Sequence, residues 1–154
     1  HGDFFLYNVN GDIQLPDYRQ LYVDFLLKYR GFSFLGEYVT ANASSLEQVY
    51  IDPIAISLLQ PTQISEYLAI GSGLNFSLGY ILKNNLGFDI GYSSISPEFD
   101  ENLNSIIKSN EELRFGLSRY FLENNLKISS TYSRINDQNE NSLSLISIVM
   151  QLKL

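Results

Sequence analysis

The stretch from residue 142 to residue 154 places the tightest limit on the fold, because its apolar residues alternate. From residue 146 onward every even position is apolar, and the odd positions between them are mostly polar. A period of two is the signature of an extended strand with one apolar face. Two architectures use such a strand: the edge of a soluble sandwich and the wall of a transmembrane β-barrel.

The composition narrows the possible classes of protein. Of the 154 residues 45% are hydrophobic and only 18% are charged, whereas soluble domains usually have about 25% charged residues. No run of about 18 apolar residues occurs, which excludes a transmembrane helix, but a barrel strand needs only about 9–11 alternating residues. The chain has no cysteine and a net charge of −7. These values argue against thiol chemistry and against nucleic acid or anionic lipid headgroups as partners.

Similar alternation recurs along the chain and predicts an all-β antiparallel meander of about eight strands in one segment, residues 1–154. The candidate strands contain residues 2–9, 21–29, 32–40, 68–80, 86–92, 113–117, 126–132 and 142–154. Short turns are expected at residues 30–31, 83–85 and 123–125, and longer connections at 42–64, 96–109 and 136–141. Alternating connection lengths, with a weak repeat between residues 74–86 and 113–126, are typical of an up-and-down transmembrane barrel.

Alternation alone does not show whether the apolar face points inward or outward, because a soluble lipocalin-like barrel has an apolar interior. The aromatic residues of this face favour an outward direction. They concentrate toward both ends of the strands, as in the interfacial girdles of membrane barrels. The predicted girdle comprises Tyr29, Phe32, Tyr80 and Phe121 beside the short turns, and Tyr38, Tyr92 and Tyr132 toward the longer connections.

The opposite face is rich in Gly, Ser, Asn and Thr and carries charges of both signs. We predict that it lines a pore and that its charges set ion preference; the alternative is that they only hydrate the interior or pair across strands. Mixed signs at mid-strand do not support strong anion selectivity. The predicted lining residues are Asp24, Lys28, Arg30, Glu37, Asp89, Arg114, Lys127 and Lys153.

The connection at residues 42–64 is unusually apolar for a loop and must bury part of its surface. Three arrangements fit equally well: it folds into the lumen as a constriction, it docks on a neighbouring subunit, or it packs on adjacent loops. Its apolar residues are Val49, Tyr50, Ile51, Ile54, Ile56, Leu58 and Leu59.

Catalysis is not expected, because His1 is the only histidine and a hydrolase triad would therefore lack its base. The acidic loops around residues 98–101 and 136–140 offer oxygen ligands for Ca²⁺ but no spaced ligand motif. We interpret them as solvated loops and predict no cofactor and no metal site.

Longer stretches of the sequence resemble a known family. DYRQLYVDFLLKYRGFSFLGEYV at residues 17–39, the later LQPTQISEYLAIG, the NNL hairpins and the terminal strand are similar to the C-terminal part of the phosphate-selective porin O/P family, in its Bacteroidota form. That family forms trimeric outer-membrane channels of about sixteen strands, roughly twice this length. The resemblance implies the C-terminal half of such a barrel, with the lipid bilayer, the remaining barrel chain and a homotrimer or larger outer-membrane complex as partners. The chain departs from the family at Leu154, where Phe is common, and lacks a lumenal ladder of Arg and Lys.

The sequence therefore predicts a porin wall for passive diffusion of small hydrophilic solutes or ions. The alternative is a complete eight-stranded barrel with a structural or partner-binding role, in which residues 2–9 pair with residues 142–154. Closure would leave unmatched backbone groups, since the first strand is the shorter. It would also underfill a narrow interior, because the inward face carries Gly71, Gly73, Gly79, Gly87, Gly91 and Gly116. An incomplete wall, continued by other polypeptide, fits better.

Overall fold

The computed structural model of the chain describes residues 6–44, 48–54, 58–121, 125–137 and 141–153. Within them the chain forms short and long strands and one short 3-10 helix, Pro61–Glu66. The strands are β1 Leu6–Tyr7, β2 Ile13–Gln14, β3 Asp17–Tyr29, β4 Phe32–Ser44, β5 Gly71–Ile81, β6 Leu86–Pro97, β7 Asn110–Phe121, β8 Leu126–Asp137 and β9 Ser142–Leu152. The all-β prediction is confirmed. Among the described residues, no helix has the length and apolar character needed to cross a membrane.

The seven long strands make one antiparallel sheet in the order β3-β4-β5-β6-β7-β8-β9, so the predicted meander is confirmed with seven strands. Strands β1 and β2 form a separate hairpin. In the described part of the chain β3 neighbours only β4 and β9 neighbours only β8. The sheet is therefore open, with one unpaired edge on each of its two outer strands.

The prediction that residues 2–9 add a strand to this meander is wrong. In the described part of that stretch, Leu6 and Tyr7 pair with β2, and Tyr7 exchanges two backbone hydrogen bonds of 2.9 Å with Tyr50. The side chain of Leu6 is buried beside Val49 in a small apolar cluster. Burial of Leu6 favours this local pairing over a place in the long sheet, and the alternation pattern did not contain that information.

The predicted strand containing residues 68–80 begins later, at Gly71. The preceding residues continue from the 3-10 helix instead, because the backbone N–H groups of Tyr67 and Leu68 both donate to the carbonyl of Ile64. Strand β4 also extends to Ser44, so the connection after it is shorter than expected.

The short turn between β3 and β4 lies where the sequence predicted it. Arg30 and Gly31 have φ values of 47° and 86°, and two consecutive positive φ values are typical of a type I′ hairpin turn. The carbonyl of Gly31 accepts a hydrogen bond from the N–H of Ile81 at 2.8 Å. A Cβ atom on Gly31 would come within 2.6 Å of the Ile81 carbonyl oxygen, so this position requires glycine. The second short turn ends at Asn85, with φ 64°.

The register of β6 to β9 separates the two faces of the sheet row by row. Ile90 pairs with Phe115, which pairs with Tyr132, and Tyr132 pairs with Ile146. The next row reads Asp89, Gly116, Thr131 and Ser147. Because successive residues of a strand point to opposite faces, the sheet has one apolar face and one polar face.

The chain divides into two compact units, which we describe separately. Residues 22–39, 73–95 and 109–154 form the unit that carries most of the sheet. Residues 1–21, 40–72 and 96–108 form the other, and its core is a cluster of five buried side chains: Leu6, Val49, Leu59, Ile64 and Ile70. Tyr67, Leu68 and Phe99 pack against that cluster.

Candidate functional site

The polar face of the sheet carries a hydrogen-bonded chain of three side chains from three strands. The carboxamide of Asn75 on β5 donates to Glu37 Oε2 on β4 at 2.5 Å. Arg114 Nη2 on β7 donates to the Oδ1 of the same carboxamide at 3.2 Å. The Nε of Arg114 also lies 3.9 Å from Glu112 Oε1. One amide side chain thus joins an acid and a base that lie on non-adjacent strands.

Glycines on β6 and β7 provide room for the charged side chains to lie along this face. A Cβ atom on Gly91 would lie 3.2 Å from both Nε and Nη2 of Arg114. The carboxylate of Asp89 lies over Gly116 in the same manner, and a Cβ atom there would clash with it. Glycine permits this close approach because it has no side chain. The small residues therefore determine where the charges of the face lie.

Ring contacts assign three further predicted lining residues to the polar face. The rings of Phe25 and Phe34 lie 6.0 Å apart, so these residues share the apolar face. Asp24, Lys28 and Glu37 lie at odd distances in sequence from these phenylalanines and therefore face the polar side. All three are exposed.

Two of the remaining predicted residues contact aromatic rings near the short turns. Lys127 lies with its Nζ 5.4 Å from the ring centroid of Tyr120. Arg30 belongs to the turn itself, and its guanidinium lies 5.2 Å from the ring centroid of Tyr29. Lys153 follows the end of β9, and its backbone N–H donates to the carbonyl of Asn125.

Charge is segregated along the strands of the polar face. Away from the short turns, the described strands carry five acids and one base on this face: Asp24, Glu37, Asp89, Glu112 and Asp137, and Arg114. Beside the short turns, the predicted lining residues are all cationic: Lys28, Arg30, Lys127 and Lys153. The single mid-strand cation is also the one engaged by Asn75 and Glu112. The middle of the described face is consequently net negative.

The predicted girdle residues beside the short turns lie at or next to strand ends, whereas Tyr38, Tyr92 and Tyr132 lie in the middle of β4, β6 and β8, because these strands extend beyond the apolar series. Phe32 and Tyr80 line one shallow groove with Phe88, Ile90 and Phe115. In mid-strand, the hydroxyl of Tyr92 donates to Glu111 Oε1 at 3.2 Å, and the hydroxyls of Tyr132 and Ser144 lie 3.1 Å apart. Tyr29, Tyr38 and Phe121 are exposed.

The apolar connection at residues 42–64 divides into buried and exposed parts. Val49 and Leu59 are buried, pair with each other through an isolated bridge and belong to the five-residue cluster. Ile51, Ile54 and Leu58 are exposed, and Tyr50 is half-buried. Ile56 lies outside the described residues. The buried pair therefore packs against neighbouring segments of the chain itself.

Asn75 and Glu112 were not selected as site residues from the sequence, although both contact Arg114. Alternation placed Asn75 on the polar face, but its link to Arg114 depends on how three strands align. Within the described residues, no group of three or more His, Asp or Glu side chains is close enough to hold a metal ion. Comparisons with protein-family models, with curated proteins and with solved structures found no match.

Proposed function

We propose that this chain is part of the wall of an outer-membrane channel that lets small hydrophilic solutes or ions diffuse passively. The two-faced sheet is the basis of this proposal. An apolar face fits contact with lipid, and a polar face with charges fits a water-filled lumen. No catalytic step is assigned to any residue.

The size of the exposed apolar face supports contact with lipid or with a large partner. Phe88, Phe115 and Leu117 on adjacent strands are each 47–48% exposed, and Ile148 and Met150 on β9 are 75% and 71% exposed. Soluble monomers rarely expose contiguous apolar patches beyond a few hundred Å². A hydrocarbon environment would remove this surface from water at no cost to the sheet.

The crowding of the polar face is the observation that indicates which face of the sheet points to the interior of the barrel. Ser118 and Ser133 on this face are only 6% exposed, whereas Phe115 and Tyr132 on the opposite face are 47% and 40% exposed. Side chains on the concave side of a curved sheet converge, and those on the convex side diverge. A crowded polar face therefore favours a polar interior over the apolar interior of a lipocalin-like barrel.

The unpaired edges of β3 and β9 support a wall that is continued by other polypeptide. Open strand edges do not persist in lipid, because each unsatisfied backbone group there costs several kcal/mol. The remainder of a barrel chain would pair with both edges, as the resemblance to the phosphate-selective porin O/P family implies. A trimer or larger complex in the outer membrane is part of the same proposal.

A pair of arginine substitutions tests which face meets lipid. Phe115→Arg places a charge on the apolar face, and Thr131→Arg places the same charge on the neighbouring polar row. In lipid vesicles, Phe115→Arg should lower the free energy of unfolding by about 2–4 kcal/mol, while Thr131→Arg should change it little. Equal effects of the two substitutions would reject a lipid-facing apolar surface.

Conductance tests the channel itself. The complete polypeptide, reconstituted in a planar bilayer, should give large stepwise openings. A protein that folds and inserts but remains silent would reject the channel and favour a structural or partner-binding barrel. A monodisperse, detergent-free protein would reject the membrane proposal as a whole.

A further inference from the structure

The short-turn end of the sheet carries cations beside aromatic rings, on the apolar face and in the turns. Arg119 lies near the end of β7, and its guanidinium carbon is 5.8 Å from the ring centroid of Phe121. Arg30 lies over Tyr29 in the first turn. Lys83 is exposed in the second turn. Basic groups and aromatic rings therefore recur together along this edge.

The register shows that Arg119 belongs to the apolar face. It pairs with Leu86 on one side and with Ile128 on the other, and Ile128 continues the row of Met150. An arginine in the middle of a lipid-facing surface costs about 2–4 kcal/mol, but near the interface the cost falls to about 0–1 kcal/mol. Arg119 lies two residues before the end of β7, so its long side chain can reach the headgroup region.

The short-turn edge is also locally positive in a chain of net charge −7. The described residues of its turns, 30–31, 82–85 and 125, include Arg30 and Lys83 but no carboxylate. Glu123 lies outside the described residues. The net charge of the whole chain argues against anionic headgroups as partners, but the described residues of these turns are locally positive and can attract an anion.

The opposite end of the apolar face is arranged differently. There Arg134 donates from Nε to the hydroxyl of Ser142 at 3.2 Å, and Tyr92 donates to Glu111. Arg134 pairs with Leu113, so it shares a face with Arg119 but is held by a neighbouring strand. Arg119 lies beside the Phe121 ring, and the residue is exposed. Arg134 is therefore a suitable control for substitutions at Arg119.

We propose that Arg119, with Phe121 beside it and Lys83 in the adjacent turn, binds the phosphate of an anionic phospholipid in the leaflet at the short-turn end. This proposal rests on the proposed membrane function. A guanidinium can hold two phosphate oxygens at once, and an aromatic ring at headgroup level fixes the depth of the site. Zwitterionic lipids offer the same phosphate but cancel its charge with their own cation, so an anionic headgroup is favoured.

Native mass spectrometry of the complete polypeptide in detergent measures this binding directly. Phosphatidylglycerol should be retained in preference to phosphatidylcholine. Arg119→Gln should lower its retention roughly fivefold, the factor for one basic side chain at a lipid surface. Arg119→Lys should keep most of the retention, because the charge remains, and Arg134→Gln should leave it unchanged.

The outcomes separate the two proposals. A protein that never inserts into bilayers overturns the membrane function and the lipid site together. A protein that inserts and conducts, but loses phosphatidylglycerol equally with Arg119→Gln and Arg134→Gln, overturns the lipid site alone. Full displacement of the lipid by millimolar inorganic phosphate would assign the site to free phosphate and would also overturn it. Heat-modifiable gel mobility of each variant verifies that it is folded.

Discussion

Arg114 and Asn75 are hydrogen-bonded at 3.2 Å although a whole strand separates them. Arg114 lies on β7 and Asn75 on β5, with β6 between. The guanidinium crosses β6 at Gly91, where a Cβ atom would lie only 3.2 Å from two of its nitrogens. The missing side chain at Gly91 is what allows an arginine to reach two strands away.

A double-mutant cycle measures this link. We expect Asn75→Ala and Arg114→Ala to show a coupling of about 0.5–1 kcal/mol in the free energy of unfolding, since the hydrogen bond is charged but partly solvated. The control cycle pairs Asn75→Ala with Lys127→Ala, which lies near Tyr120 instead, and should be additive within about 0.5 kcal/mol. Additivity in both cycles would contradict the link.

Ion preference should follow the net negative charge of the mid-strand polar face. Asp89→Asn should lower the preference for cations and Arg114→Gln should raise it, each by less than about threefold, because charges in a wide aqueous pore are screened within about 8–10 Å. Reversal potentials under a KCl gradient measure both changes. The control is Glu111→Gln, whose side chain contacts Tyr92 on the other face. A shift with this control as large as with Asp89→Asn would argue against a lumenal role for Asp89.

The first hairpin turn should depend on glycine. Gly31→Ala combines a φ of 86° with a Cβ placed 2.6 Å from the Ile81 carbonyl oxygen. It should lower the free energy of unfolding by about 1–3 kcal/mol, as measured by denaturant titration. Arg30→Asn is the matched control, because asparagine tolerates the φ of 47° at Arg30 and Asn-Gly favours this turn. Stability should then stay the same or rise.

The small apolar cluster should depend on Ile64, which is 1% exposed. Ile64→Ala should cost about 2–4 kcal/mol in local stability and should speed hydrogen exchange at the amides of Tyr7 and Tyr50, which bond to each other's carbonyls. Ile54→Ala removes the same atoms from a residue that is 86% exposed, and its effect should stay within about 0.5 kcal/mol. Unchanged hydrogen exchange in Ile64→Ala would show that the cluster does not stabilise the hydrogen bonds between Tyr7 and Tyr50.

Much of the sheet could be predicted from the sequence. The alternation in residues 86–92 and 142–154 anticipated the apolar and polar rows, and Gly31 marked the first turn at its observed place. Strand ends were less accurate: β7 runs over Asn110–Phe121, beyond the apolar series at residues 113–117, because polar residues also pair when a neighbouring strand is present.

The sequence by itself determined which face each strand residue takes and where the chain turns back. Both are local properties, since side-chain direction follows the two-residue backbone repeat and a positive φ favours glycine. Only the tertiary structure decided that the outer edges of β3 and β9 have no neighbouring strand among the described residues, that Leu6 packs with Val49, and that Asn75 joins Glu37 to Arg114. These contacts join residues 38 or more positions apart, and their formation depends on how whole strands align and on which apolar surfaces can be buried together.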